Sequence, residues 1–327
     1  MKKFLTALAC FALLAGSAFA ADLQQSGKGM KVWFDAGGGV GEAYSTIVIN
    51  GAKQAAADLG VDLTIVYSDW NAEKMLENFK NGLAAKPTGY VVMGHPGDAA
   101  YGPLVDEAFS KGIIVTAVDT ELPALQAKYQ SKGFGYIGPD GWKQGEEMAK
   151  EILRRKAFKP GDKAFVWGLK RLESRGRRAR AMLKVFEDAK LKVDYLEISD
   201  EINKDVSLGA PVLAGYLSAN PDCKLIVIDH GGLTGQLENF LRGAGLKPGA
   251  VYATGFSLNP ATAASIESGY LNLVSEAQPY LMGYLGVLQI VQTAKYKFGG
   301  LSVDTSGGYV SAENIAVIAP LAKSGIR

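Results

Sequence analysis

Thiol and imidazole chemistry is nearly absent from the sequence: of 327 residues, two are cysteine, Cys10 and Cys223, and two are histidine, His95 and His230. Neither histidine has a second ligand at metal-binding spacing, so no metal centre is expected. No G-x-S-x-G, H-E-x-x-H or reactive-cysteine pattern occurs, and the chain is read as a non-enzyme with no catalytic residue and no cofactor. Charge of one sign is lacking too. Lysine plus arginine number 35 against 33 aspartate plus glutamate, without the basic excess that a nucleic-acid or anionic-membrane partner calls for. Beyond residue 20 no apolar run is long enough to cross a bilayer.

What is present begins with an export signal. Met1-Lys2-Lys3, an apolar stretch from Phe4 to Leu14, and Ala18-Phe19-Ala20 ahead of Ala21 follow the order of a secretory signal peptide with its small-residue cleavage site. The mature chain is expected to start at Ala21 and to reside in the periplasm. Cys10 read as a lipoprotein cysteine is the alternative, but it lacks a leucine three residues upstream and has too little apolar sequence before it. Cleavage leaves 33 basic and 33 acidic residues and the single thiol of Cys223, which rules out an intramolecular disulfide. The remaining stretch of about 300 residues exceeds what one hydrophobic core usually holds, so two lobes are expected.

Short β-branched and aromatic runs alternate with amphipathic patterns almost from end to end, the rhythm of parallel sheets covered by helices. Strands are expected at Lys31–Ala36, Asp62–Tyr67, Gly89–Met93, Ile113–Val118, Lys163–Gly168, Leu191–Ile198, Lys224–Asp229 and Ala250–Gly255. Between the first two, Ile47, Gly51, Ala55 and Leu59 recur every four residues and should lay one small apolar stripe against the sheet. In such sheets ligands sit beyond the carboxyl ends of the strands. The loops there carry Glu42 and Tyr44, Trp70, His95, Asp119, Asp229 with His230, and Ser257.

The glycine loop Gly37–Gly41 is not a nucleotide motif: no Lys-Ser/Thr follows it, and Tyr44 stands where the dinucleotide fingerprint needs glycine. It reads as a flexible binding loop presenting Glu42 and Tyr44, or as a tight strand-to-helix turn. His95 and His230 suit hydrogen bonding in a cleft or simple loop packing equally. Five arginines crowd the segment Arg171–Arg180. Arg171, Arg175 and Arg178 share one helical face, Arg177 lies off it, and at least one guanidinium fork should turn inward to bind hydroxyls or a carboxylate. Tyr44, Trp70 and Trp142 are candidate rings for the apolar face of a ligand, whereas Trp167, within a strand, is assigned to packing.

Val115-Thr-Ala-Val-Asp119, Tyr136-Ile-Gly-Pro-Asp140 ahead of a Gly145-containing helix, Gly255-Phe256-Ser257, and Gln278-Pro279-Tyr280-Leu281-Met282-Gly283-Tyr284 occur in that order. As a set they resemble the periplasmic sugar-binding proteins of ABC importers, the ribose/galactose-binding type of type I periplasmic binding protein. The resemblance covers essentially the whole mature chain. It implies an α/β fold of two Rossmann-like lobes with parallel sheets, residues 21–139 plus 279–307 and 140–278 plus 308–327, joined by three crossings near Pro139, Gln278 and Gly307 that act as a hinge. It implies capture of a monosaccharide or small polyol and delivery to the membrane subunits of an ABC permease, by a monomer. A sensor presenting a sugar or furanose signal to a membrane receptor is the alternative. Asp119 matches the family's sugar-binding aspartate, and Arg178, or else Arg175, its arginine. Asp229 or His230 stands at an asparagine position. Departures at Thr120, Ser257, Ala277 with Gln278, and Glu42-Ala43-Tyr44 argue against ribose itself. The expected ligand set is Glu42, Tyr44, Trp70, His95, Asp119, Trp142, Arg175, Arg178, Asp229, His230, Ser257 and Gln278.

Overall fold

The computed structural model describes residues 25–327. The export segment read from residues 1–20, Cys10 and the start at Ala21 lie outside the described residues. Strands β1 (Lys31–Asp35), β2 (Asp62–Val66), β3 (Gly89–Met93), β4 (Ile114–Val118) and β5 (Gly135–Gly138) alternate with helices α1 (Ala43–Leu59), α2 (Ala72–Ala84), α3 (Asp98–Ser110) and α4 (Pro123–Tyr129). A second series runs α5 (Gly141–Arg155), β6 (Lys163–Gly168), α6 (Arg177–Asp188), β7 (Lys192–Glu197), the short α7 (Asp200–Lys204), α8 (Gly209–Ala219), β8 (Cys223–Ile228), α9 (Gly231–Gly243), β9 (Tyr252–Phe256), α10 (Pro260–Glu267) and β10 (Leu273–Glu276). The chain finishes with α11 (Pro279–Tyr296), β11 (Ser302–Asp304), β12 (Gly308–Val310) and α12 (Ile315–Lys323).

Two six-stranded sheets result, ordered β11-β5-β4-β3-β1-β2 and β12-β10-β9-β8-β6-β7. The two-lobed α/β fold expected from the sequence is present, with one refinement: β12 pairs antiparallel to β10, whereas the other pairings are parallel. The central strands β3, β4, β6 and β8 are buried on both faces, which is why they read as nearly unbroken apolar runs. The chain passes from one sheet to the other after β5, after β10 and after β11. The last two passages are tied together, with Gln278 Nε2 donating to the Thr305 carbonyl at 3.0 Å and the Thr305 hydroxyl donating to the Ala277 carbonyl at 2.7 Å.

The small-residue stripe of α1 needs correction at one position. Ile47, Gly51, Ala55 and Leu59 are all buried, but Gly51 faces α11 and not the sheet. A Cβ on Gly51 would lie 1.9 Å from the Tyr280 carbonyl oxygen, and one on Gly283 would lie 1.9 Å from that of Val48. The two helices therefore touch backbone to backbone, and the sequence spends glycine where any side chain would hold them apart. Val48 and Ala52 complete this packing and join the first core with Val91, Val118 and Ile290. The second lobe is packed around Trp167, Ile226 and Leu233 on one face of its sheet and around Val166, Met182 and Phe256 on the other.

Candidate functional site

The carboxyl ends of both sheets face each other across a cavity of about 340 Å³. That volume is in the range of small-molecule sites. Several non-glycine residues at this rim adopt positive φ: Trp70 at 55°, Asp119 at 65° and Ser257 at 75°. Such backbone is held by its surroundings at a cost and concentrates where side chains must be aimed.

Asp119 follows β4 on the first lobe. The Tyr44 hydroxyl donates a short hydrogen bond to its Oδ1, and the Thr120 hydroxyl donates to Oδ2 at 3.2 Å. Burial would push its carboxyl up, but His95, the Tyr44 bond, Arg175 and Arg178 together hold it below the ordinary value. Trp70 stands beside it, its ring centre 5.9 Å from that of Tyr44 and 5.1 Å from that of His95. The glycine loop serves this wall by shape, since a Cβ on Gly37 would come within 2.5 Å of the Trp70 ring. Glu42 caps α1, its carboxylate accepting from the Tyr44 and Ser45 amides.

The opposite wall is built on Asp229, whose side chain is fully buried at the end of β8. Arg175 Nη1 donates to both its carboxylate oxygens at 3.2 Å and Arg178 Nε to Oδ1 at 2.5 Å. Arg178 also donates through Nη1 to Gln144 Oε1 at 3.0 Å and lies 3.9 Å over the Phe256 ring. Arg175 Nη2 donates in addition to the Asp229 carbonyl at 2.8 Å, so both guanidinium planes are fixed from behind while both side chains line the cavity. Burial, then the charge of Arg175, lowers the Arg178 pKa. Burial and the neighbouring guanidiniums bring His95 down to about 4 and His230 to about 3, so both rings are neutral near pH 7. Two arginines against Asp119 and Asp229 leave the buried centre electrically balanced.

Tyr44, Trp70, His95, Asp119, Arg175, Arg178, His230 and Ser257 all line the cavity, as does part of Glu42. Trp142 does not. It lies in the first turn of α5, 38% exposed, and faces solvent, while Phe256 supplies a ring from this lobe. Asp229 is one layer behind the wall, consumed by the arginines. Gln278 is in the hinge, its amide spent on Thr305. The shared face expected for Arg171, Arg175 and Arg178 also fails: α6 begins only at Arg177, and Arg171 turns outward to Glu197 and Asp200. Arg177 instead crosses to the other lobe, with Nε 2.5 Å from Glu121 Oε1, as a contact of charges at angles too bent for a hydrogen bond. Gln144, Asn203 and Asn259 line the cavity without having been singled out from the sequence. Each comes from a helix or its cap, where a lone amide carries no pattern; only the capping motif Asn259-Pro-Ala-Thr262 was there to be read.

A family model described as a periplasmic binding protein domain matches residues 36–297. Among curated proteins, the chain is similar to the xylose/arabinose-binding protein XylF of Sulfolobus acidocaldarius, 25% identical over 233 residues, which are 66% of this chain and 55% of that protein. The chain therefore spans about half the length of the curated relative it matches. A carbohydrate transporter structure from Acidothermus cellulolyticus in complex with myo-inositol aligns with TM-score 0.76 and 21% identity, covering 91% of this chain and 99% of that one. The periplasmic component of an arabinose ABC transporter from Shewanella sp. ANA-3, bound to L-arabinofuranose, aligns with TM-score 0.76 and 17% identity over 90% of this chain and 96% of that one. These structures share the fold.

Proposed function

The chain belongs to the periplasmic binding protein domain family, and on that premise we propose that it captures an uncharged monosaccharide or small polyol between its lobes and hands it, unaltered, to an ABC permease. The observation that carries this reading is the make-up of the cavity wall. The largely buried carboxylate of Asp119, the largely buried guanidiniums of Arg175 and Arg178 held by Asp229, and the rings of Tyr44, Trp70 and Phe256 meet around one small volume. Planar polar forks match vicinal hydroxyls, while aromatic faces cover the C–H side of a sugar ring. The balanced charge of the buried centre favours a neutral ligand over a sugar acid, whose carboxylate would face Asp119. The names of XylF and of the aligned carbohydrate transporters support the same class.

The domain division at the three crossings, export with loss of residues 1–20, and a monomeric working form belong to this proposal. Passage of the chain through three adjacent strands of backbone suits a hinge that opens and closes the cleft. A thermal-shift screen with D-xylose, L-arabinose, D-arabinose, D-galactose and myo-inositol tests it. At least one should raise the melting temperature, the shift growing with the logarithm of its concentration above the dissociation constant; no shift with any neutral sugar or polyol would remove the proposed ligand class.

A further inference from the structure

The two histidines stand on opposite walls of the cavity, and the partners of each ring fix where its proton sits. His230 caps α9, with the Leu233 amide N–H donating to its Nδ1 at 3.2 Å. A nitrogen that accepts carries no proton, so the proton of the neutral ring is on Nε2. Nε2 is 3.1 Å from Asn203 Oδ1 and donates to it. The Asn203 amide is thereby oriented, its oxygen used and its NH₂ left without a partner among the described residues, at the cavity wall.

His95 has the reverse arrangement. The Asp119 carboxylate only accepts, so the Thr120 hydroxyl donates to its Oδ2, and Thr120 Oγ1, 3.3 Å from His95 Nδ1, accepts from that nitrogen. The proton is on Nδ1, and Nε2 keeps a lone pair with no partner among the described residues. Burial keeps both rings neutral, at pKa values of about 4 for His95 and about 3 for His230.

We propose that His95 Nε2 and the Asn203 NH₂ form an acceptor and donor pair that reads the ligand from opposite lobes, with Thr120 and His230 as the positioning residues that set the polarity of each. The proposal rests on the binding function above and refines it. The ligand must offer a hydroxyl hydrogen to the first lobe and an oxygen lone pair to the second, and it meets both only when the lobes are closed. His230 itself, with both nitrogens spent, makes no polar contact with the ligand.

Since the chain has only two histidines, long-range proton–nitrogen correlation spectra of the full chain resolve both imidazoles, and either H95Q or H230Q assigns them. The expected spectrum at pH 7 shows His95 protonated on Nδ1 and His230 on Nε2. Both rings in one tautomer, or either doubly protonated, overturns the assignment. Ligand reading is measured with the sugar that the thermal-shift screen selects. N203D, which turns the donor into an acceptor, should weaken its binding at least tenfold and more than N203A does. Wild-type affinity in N203D defeats the proposal alone, whereas failure of every neutral sugar to bind the wild type defeats the underlying function as well.

Discussion

Asp119 holds an unfavourable positive φ, and its carboxylate accepts from a phenol and a hydroxyl while lying in the field of the two guanidiniums of the opposite wall. Its removal leaves the Tyr44 and Thr120 hydroxyls without their acceptor and takes one of the two negative charges away from the arginines, which keep Asp229. D119A and R178A should each weaken sugar binding by more than about tenfold, or about 1.4 kcal/mol, measured by calorimetry, since each strands polar partners out of water. Unchanged affinity in either would take that residue out of the site. The histidines give a second prediction. Their pKa values are lowered to about 4 and about 3 in the folded chain against 6.5 when unfolded, so on acidification the unfolded chain binds protons that the folded chain refuses. Stability is full above about pH 6.5 and falls below it, by about 1.4 kcal/mol per pH unit for each ring. The melting temperature should be level from pH 8 to 7 and decline from 6 to 4, less steeply in H230Q; a level profile down to pH 4.5 would contradict the burial of neutral rings. At this scale the sequence was informative where a residue ends a strand. Asp119, His95 and Ser257 could be placed because strand ends face ligands in this fold. Trp142 misled because nothing in its neighbours indicates which side of the first helical turn it takes. Asn203 was invisible because its role depends on His230, distant in sequence.

Helices α1 and α11 show the element scale most clearly. Their contact needs Gly51 and Gly283 together, and G283A inserts a methyl where 1.9 Å separates its carbon from the Val48 carbonyl oxygen. Denaturant unfolding should show a loss of about 1–3 kcal/mol; less than about 0.5 kcal/mol would mean that the helices can part without cost. The four-residue period of α1 was legible, but its partner was not, because periodicity marks a buried face without saying what covers it. The same limit governs the strands. Eight apolar runs were found to within two residues of their ends. Missed were β5 and β10, four residues each, and β11 and β12, three each; they are too short to show alternation, and they become strands only because a sheet edge is already there to pair with.

At the scale of the whole molecule, two of the three passages between sheets line the cavity, at Pro139 and Ala277, the third is tied to Ala277 through Thr305, and contacts between the lobes couple them. Arg177 meets Glu121, whose carboxyl is lifted by burial despite that positive partner, and Lys143 meets Asp304 at 3.0 Å. The charge-balanced composition and the absence of a catalytic pattern, both readable from the sequence, belong to this scale. The identity of the sugar does not, because it depends on the placement of fixed donors and acceptors to a fraction of an ångström. Titration calorimetry of the full chain with the sugar chosen by thermal shift tests the account most directly. It predicts one ligand per chain, a dissociation constant near micromolar, about 8 kcal/mol of binding, and recovery of the sugar unchanged after long incubation. Absence of saturable binding, or recovery of a chemically altered sugar, would contradict it.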